Sequence, residues 1–233
     1  MTAEARLLRV RAAIRELILW LAVIALFQAG VVQAYVVPTG SMERTILPGE
    51  LVVADKLTLG PRTPQWVGVP WTKVGFHLPA LKLPGFRPVR RGDIVLAEVP
   101  VDQATPYVKR VVALGGDTVE LRDKRLHVNG EPVEESWAVH ADRRTFPRGV
   151  AQEGLPPGMG NRDNWGPFEV PAGHVFLMGD NRDFSADSRY FGAVPERNII
   201  GRARLVAFSV DEDLAAHAPW KAVRLGRLGT VLR

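Results

Sequence analysis

The sequence predicts a mainly β fold: a twisted, partly closed β-sheet domain preceded by one N-terminal transmembrane helix. Three observations predict it. Eighteen Pro and 22 Gly among 233 residues, with only 8% aromatics, suit short strands and many turns better than a helical bundle. Past Pro38, apolar residues recur in short alternating runs between turn signals. The only long apolar run lies ahead of that point, over Leu17–Val37.

That run is interrupted only by Gln28 and Gln33 and follows Arg6, Arg9, Arg11 and Arg15. A helix needs ~20 residues to cross the hydrocarbon core, and excess positive charge stays on the cytoplasmic side. The reading is a short basic cytoplasmic tail over 1–16, a transmembrane helix over 17–37, and an extracytoplasmic β-rich domain over 38–233 of a plasma-membrane protein. A cleaved signal peptide is the competing reading, with Leu17–Phe27 as its apolar core and Val32-Gln33-Ala34 as its small-residue site. A retained anchor is preferred because a chemistry-bearing motif begins directly after the run.

Strands are expected over Glu50–Lys56, Asp93–Glu98, Tyr107–Ala113, Thr118–Leu121, Leu126–Val128, His174–Met178 and Gly201–Val210. Asn129-Gly130 is a hairpin turn signal. Gly60–Arg91 is an irregular excursion rich in Pro and Gly. Its Trp66, Trp71, Phe76, Leu78, Leu81, Leu83 and Phe86 either meet a lipid headgroup layer or pack under their own loop. A small insertion is expected around 129–169, with Ser136–Pro167 polar and irregular. Trp220–Arg233 reads as a solvated tail.

A net charge of +5 favours an anionic partner. Membrane lipid, anionic lipid in particular, fits the apolar segment. Nucleic acid is not expected, because no helix-turn-helix, zinc-finger or RNA-binding signature is present. The absence of cysteine excludes disulfides and thiol catalysis. His77, His127, His140, His174 and His217 lack paired metal-ligand spacing, so a metal site is not expected.

Three segments carry chemistry. In Val37-Pro38-Thr39-Gly40-Ser41-Met42, Gly40 permits a tight turn that exposes the Ser41 hydroxyl, and Thr39 adds a second hydroxyl. Alone, this is simply a turn. In Tyr107–Asp117, strand alternation places Lys109 on one face with Val111 and Ala113, and Arg110 on the other with Val108 and Val112. A lysine on an apolar face is desolvated and its pKa falls, as a general base requires. Alone, an edge-strand lysine is the plainer account. Met178–Gly192 packs Asp180, Asn181, Arg182, Asp183, Ser185, Asp187, Ser188 and Arg189 between apolar flanks, so these groups must find partners if buried. A calcium loop competes there, but Arg182 and Arg189 disfavour a cation site. His174, just ahead of this segment, is a rival candidate base.

Taken together and in this order, the three segments resemble the signal peptidase I family from the membrane segment to about Phe208. The resemblance implies a mainly β domain and a serine endopeptidase that removes signal peptides from exported preproteins, cutting after small residues. It implies Ser41 as nucleophile and Lys109 as base, in a reaction that needs no cofactor. It further implies Thr39 in the oxyanion hole, Ser185 orienting the lysine, and Arg110, Asp180, Asp187 and Arg189 as supporting ion pairs. The sequence departs from the pattern at Arg44, where the family carries proline, and at Phe184, where a polar residue is common. The short stretch between the second and third segments leaves no room for a large second domain. The non-enzymatic alternative is a membrane-tethered β scaffold that binds signal sequences or partners. A self-cleaving repressor-type Ser/Lys protease is disfavoured, because the chain opens on an apolar segment rather than a DNA-binding head.

Overall fold

A computed structural model describes residues 9, 11–20, 30–61, 66–68, 75–77 and 81–233, with the backbone alone at 66–68, 75–77, 102–104, 212 and 219. Helix α1 covers residues 11–20. Thirteen strands follow: β1 (Val32–Val37), β2 (Glu50–Asp55), β3 (Trp66–Gly68), β4 (Gly75–His77), β5 (Ile94–Val99), β6 (Asp102–Leu114), β7 (Thr118–Arg122), β8 (Arg125–Val128), β9 (Glu131–Pro132), β10 (Trp165–Glu169), β11 (His174–Met178), β12 (Val194–Pro195) and β13 (Ile199–Ser209). Two short helices, α2 (Ser188–Phe191) and α3 (Glu212–His217), complete the elements used below.

Seven strands form one antiparallel sheet in the order β1-β2-β13-β5-β6-β11-β12. A second sheet has the order β10-β7-β8-β9, and β3 pairs with β4. β5 reads Ile-Val-Leu-Ala-Glu-Val, apolar at nearly every position, because both its faces are covered. Ile94 and Leu96 join a cluster with Val37, Met42, Ile46, Val52 and Val206. Val95, Ala97 and Val99 join another with Val111, Val175 and Leu177. A third cluster glues the two sheets together, packing Val112, Phe176 and Met178 against Leu121, Leu126 and Trp165.

A β-bulge refines the expected alternation along β6. Phe176 pairs with Ala113 but Leu177 pairs with Val111, so Val112 is the extra residue. Val111 stays with the cluster beside Lys109, whereas Ala113 crosses to the opposite cluster with Val112. Sequence alternation alone had placed Ala113 with Lys109.

The helix expected over 17–37 does not reach Val37. Val32–Val37 is a strand, registered residue for residue from Val32 opposite Asp55 to Val37 opposite Glu50. Its apolar composition continues that of the preceding segment, and its partner β2 decides its structure. Residues 21–29 of the expected helix lie outside the described residues. Among the described residues no helix is long and apolar enough to cross a membrane.

Two more expectations change. The segment Trp220–Arg233 is docked, not solvated. Leu232 is 4% exposed within the first cluster, and Arg227 pairs with the fully buried Glu50. The region around Ser136–Pro167 is irregular until β10 but is tied down by the Arg162–Asp142 ion pair and by Asp142, whose carbonyl accepts from Lys124 Nζ and whose N–H donates to Asp183. In the excursion, Leu81, Leu83 and Phe86 are exposed, Phe86 at 85%, while Trp71 and Leu78 lie outside the described residues.

Candidate active site

Ser41 sits in a single 3₁₀ turn, Gly40–Met42, immediately after β1. Thr39 ahead of it is still extended (φ −126°, ψ 153°), so the chain turns sharply at Gly40. Met42 and Ile46 insert fully into the core and pin the turn from below. From the front, Asn181 holds it through backbone and side chain. Its N–H donates to the Ser41 carbonyl (3.1 Å), and its Nδ2 donates to the Gly40 carbonyl (3.1 Å) and Glu43 Oε2 (3.2 Å). Sequence reading set Asn181 in the third segment without placing it at the Ser41 turn. Two of its three bonds there go to backbone carbonyls, which leave no residue type to find in sequence.

Lys109 projects from the middle of β6, between Tyr107 and Val111 and opposite Val95 on β5. It is 3% exposed. Its Nζ lies 2.7 Å from Ser41 Oγ and 5.5 Å from the Tyr107 ring centre. Among the described residues no carboxylate is in salt-bridge contact with it. Burial pushes its pKa down to about 8, reinforced by Arg189 and opposed by the more distant charges of Asp187 and Asp180. Thr39 Oγ1 lies 3.4 Å from Ser41 Oγ.

Ser185 is brought to the site but not into the expected bond. It is 5% exposed, and its Oγ has no hydrogen-bond partner among the described residues. Instead it packs on Gly179, where a Cβ would collide with the Ser185 side chain and the Ser41 carbonyl. Glycine is required at 179 by this close approach.

The expected supporting pairs form one layer behind. Arg110 leaves β6 on the face opposite Lys109 and forks onto Asp180, Nε to Oδ1 at 2.8 Å and Nη2 to Oδ2 at 2.7 Å. The pair is almost fully buried, and the guanidinium stacks 4.4 Å from the Trp137 ring centre. Asp187 caps α2 by accepting from the Arg189 N–H. It also accepts from Arg189 Nε (2.9 Å) and Nη2 (2.8 Å) and from the Gly179 N–H (3.2 Å). Burial works to raise the Asp187 pKa, but the charge and bonds of Arg189 and the Gly179 N–H together hold it below the ordinary carboxylate value.

The rival readings find no geometry. His174 stands at the far end of β11, opposite Pro195, with Nδ1 3.0 Å from the Ala172 carbonyl. Asp180 and Asp183 do not converge as calcium ligands would, since Arg110 holds one and Lys124 the other. Ser41 and Lys109 open onto a groove of about 380 Å³ between β1 and the N-terminal half of β6. Tyr35, Val36, Tyr107, Val108, Phe184 and Ala186 contribute to its mainly apolar wall. β1 is a sheet edge, and β6 pairs with β11 only from Arg110 onward, so the groove runs between two strands with open edges. An apolar groove ending at a serine hydroxyl that touches a neutralisable amine can bind an extended peptide and attack its carbonyl.

Comparison with known proteins places this chain in a family. The profile of "Signal peptidase, peptidase S26" matches residues 10–208. The signal peptidase I of Pseudomonas fluorescens is 32% identical over 218 residues, covering 84% of this chain and 72% of that protein. The signal peptidase I of Rickettsia typhi is 32% identical over 229 residues, covering 85% and 84%. A solved signal peptidase I from Enterococcus faecalis aligns with half of this chain at 29% identity and a TM-score of 0.37.

Proposed function

Because the chain belongs to the signal peptidase family, peptidase S26, we propose that it cleaves signal peptides from exported preproteins with Ser41 as nucleophile and Lys109 as general base. That the chain is a serine peptidase of the signal-peptide-removing kind follows from the family. The assignment of the dyad rests on one observation, the 2.7 Å approach of a desolvated Lys109 Nζ to Ser41 Oγ.

Neutral Lys109 takes the Ser41 proton as Oγ attacks the carbonyl that follows a small residue. The tetrahedral oxyanion is stabilised by donors at the Ser41 turn, the Thr39 hydroxyl among them. Lys109 then passes its proton to the leaving amine, freeing the mature chain, and activates the water that hydrolyses the acyl-enzyme. Arg110, Asp180, Asp187 and Arg189 touch none of the reacting atoms. They fix the strands and the third segment around them. A scaffold without catalysis would have no use for a buried amine against a hydroxyl.

The same reading tethers the enzyme to the membrane. Leu17, Ile18, Leu19 and Trp20 of α1 are 57–67% exposed, which suits hydrocarbon rather than water. Arg9, Arg11 and Arg15 beside them suit a cytoplasmic, anionic leaflet. With β1 starting at Val32, the anchor ends before that residue, and β1 already belongs to the extracytoplasmic domain. Cleavage of a preprotein by detergent-solubilised wild type, Ser41→Ala and Lys109→Ala, read by product mass, tests the assignment. A single cut after a small residue, lost in both variants, is expected. Cleavage by Lys109→Ala at the wild-type rate would overturn the dyad.

A further inference from the structure

The segment 224–233 lies beyond the residues that the family profile matches, which end at 208. It is nevertheless built into the back of the nucleophile turn. Gly229, Val206 and Leu232 N–H groups bond the Val206, Thr230 and Arg204 carbonyls respectively, adding a short strand-like run to the upper edge of β13. From that mount, Arg227 forks onto Glu50, Nε to Oε1 at 2.6 Å and Nη2 to Oε2 at 2.9 Å, and Nη2 also donates to the Thr45 carbonyl at 2.9 Å. Arg224 donates to the Pro48 carbonyl at 2.9 Å. Glu50 accepts in addition from the Leu47 N–H and the Ser209 hydroxyl, so its carboxylate closes the end of the loop from Ser41 to Glu50 and ties it to β13 and to this segment.

The contact continues into the site's supporting layer. Thr45, held by Arg227 through its carbonyl, donates its hydroxyl to Asp180 Oδ2 at 2.6 Å. Asp180 carries Arg110, and Arg110 Nη1 donates to the Arg233 carbonyl at 3.0 Å. Leu232 packs in the same cluster as Met42 and Ile46. The nucleophile turn is thus gripped from the front by Asn181 and from behind by this segment.

We propose that residues 224–233 form a clamp that sets the position of the Ser41 turn relative to Lys109, with Arg227 as its positioning residue. The inference rests on the proposed Ser41–Lys109 chemistry for its kinetic consequence, but not for its structural one. A hydroxyl and an amine at 2.7 Å tolerate little displacement, and misplacement by ~1 Å costs up to ~100-fold in rate. Substrate binds along β1 and β6, which Arg227 does not touch, so binding is spared.

The test compares full-length wild type, Arg227→Ala and Arg227→Lys in detergent, by steady-state cleavage of a preprotein and by amide hydrogen exchange. For Arg227→Ala, kcat is expected to fall at least about tenfold with KM within about twofold. Arg227→Lys, which keeps the charge beside Glu50 but not the fork, is expected to fall between. Exchange is expected to accelerate selectively at the Glu43, Thr45 and Ile46 amides, with β5 and β6 unchanged. A kcat within twofold of wild type overturns the clamp. So does exchange that accelerates evenly over the sheets, since Arg227 would then be a general stabiliser. Should wild type itself not cleave, the functional reading fails and the exchange pattern alone decides the clamp.

Discussion

Lys109 and Arg110 are consecutive residues of one strand, both cationic and both buried, and the two faces of β6 treat them in opposite ways. On one face Lys109 meets Ser41, Tyr107 and apolar neighbours, with no carboxylate in contact, and burial depresses its pKa to about 8. On the other, Arg110 finds a buried carboxylate in fork geometry, two backbone carbonyls and an indole. Burial alone therefore does not determine what a cation does. The partner decides whether it is a fixed structural charge or an amine that can give up its proton. Arginine cannot serve in the second role, and lysine would serve poorly in the first.

The largest effect separating the two faces comes from removing each cation without removing its bulk. Arg110→Met leaves Asp180 buried and uncompensated, with Thr45 as its remaining side-chain donor. A loss of about 3–5 kcal/mol in denaturant unfolding is expected. Lys109→Met should do the reverse. Between an unfolded pKa of about 10.5 and a folded value of about 8, the unfolded chain binds the extra proton. The burial penalty is therefore complete below pH 8 and fades as pH rises toward 10.5. At pH 7 it amounts to about 3 kcal/mol at most, so Lys109→Met is expected to unfold later than wild type while losing activity. A Lys109→Met protein less stable than wild type at pH 7 would mean that the amine is not held at a cost.

The same shift fixes the sign of the rate profile. The base must be neutral, so kcat/KM should rise about tenfold per pH unit up to a midpoint near 8 and level off above it. Asp187 is the strongest charge raising the Lys109 pKa, and Asp187→Asn should move that midpoint toward acid. A midpoint that stays put or moves toward alkali in this variant would remove Asp187 from the electrostatics of the base.

What was legible in the sequence follows the same division. β2, β5, β11 and β13 were read to within two residues, because their apolar patterns are bounded by turn signals. β1 was not, because Val-Gln-Ala-Tyr-Val-Val extends an apolar run whose helical reading only the pairing with β2 overrules. β10 was read as loop because it carries Gly166 and Pro167, which its edge position in the small sheet tolerates. Ser41, Lys109 and the Arg–Asp pairs were legible as residue types in a known order. Asn181 and Arg227 were not, since they act on backbone carbonyls and on carboxylates 138 and 177 residues away. Ser185 comes against Gly179 beside the Ser41 carbonyl, but the bond to Lys109 that the family resemblance implies is not made.

The smallest effect sharpens the comparison at the nucleophile's own turn. Met42 to Thr45 form a β-turn closed by the Thr45 N–H on the Met42 carbonyl (3.0 Å), with Glu43 at φ −52°, ψ 146° and Arg44 at φ 74°. This is type II geometry, whose third position favours glycine. Arg44 pays for left-handed backbone with strain and, being exposed, recovers little from contacts. Arg44→Gly should therefore raise stability by a few tenths to about 1 kcal/mol and leave kcat unchanged. Arg44→Pro restores the residue the family pattern carries, yet it forces φ to about −65° and cannot occupy this turn. It is expected to shift the turn, slowing cleavage and lowering the unfolding midpoint. If Arg44→Pro instead matched wild type in both, the turn at Ser41 would tolerate either shape. The grip of Asn181 and Arg227, rather than the local backbone, would then be what holds the nucleophile against Lys109.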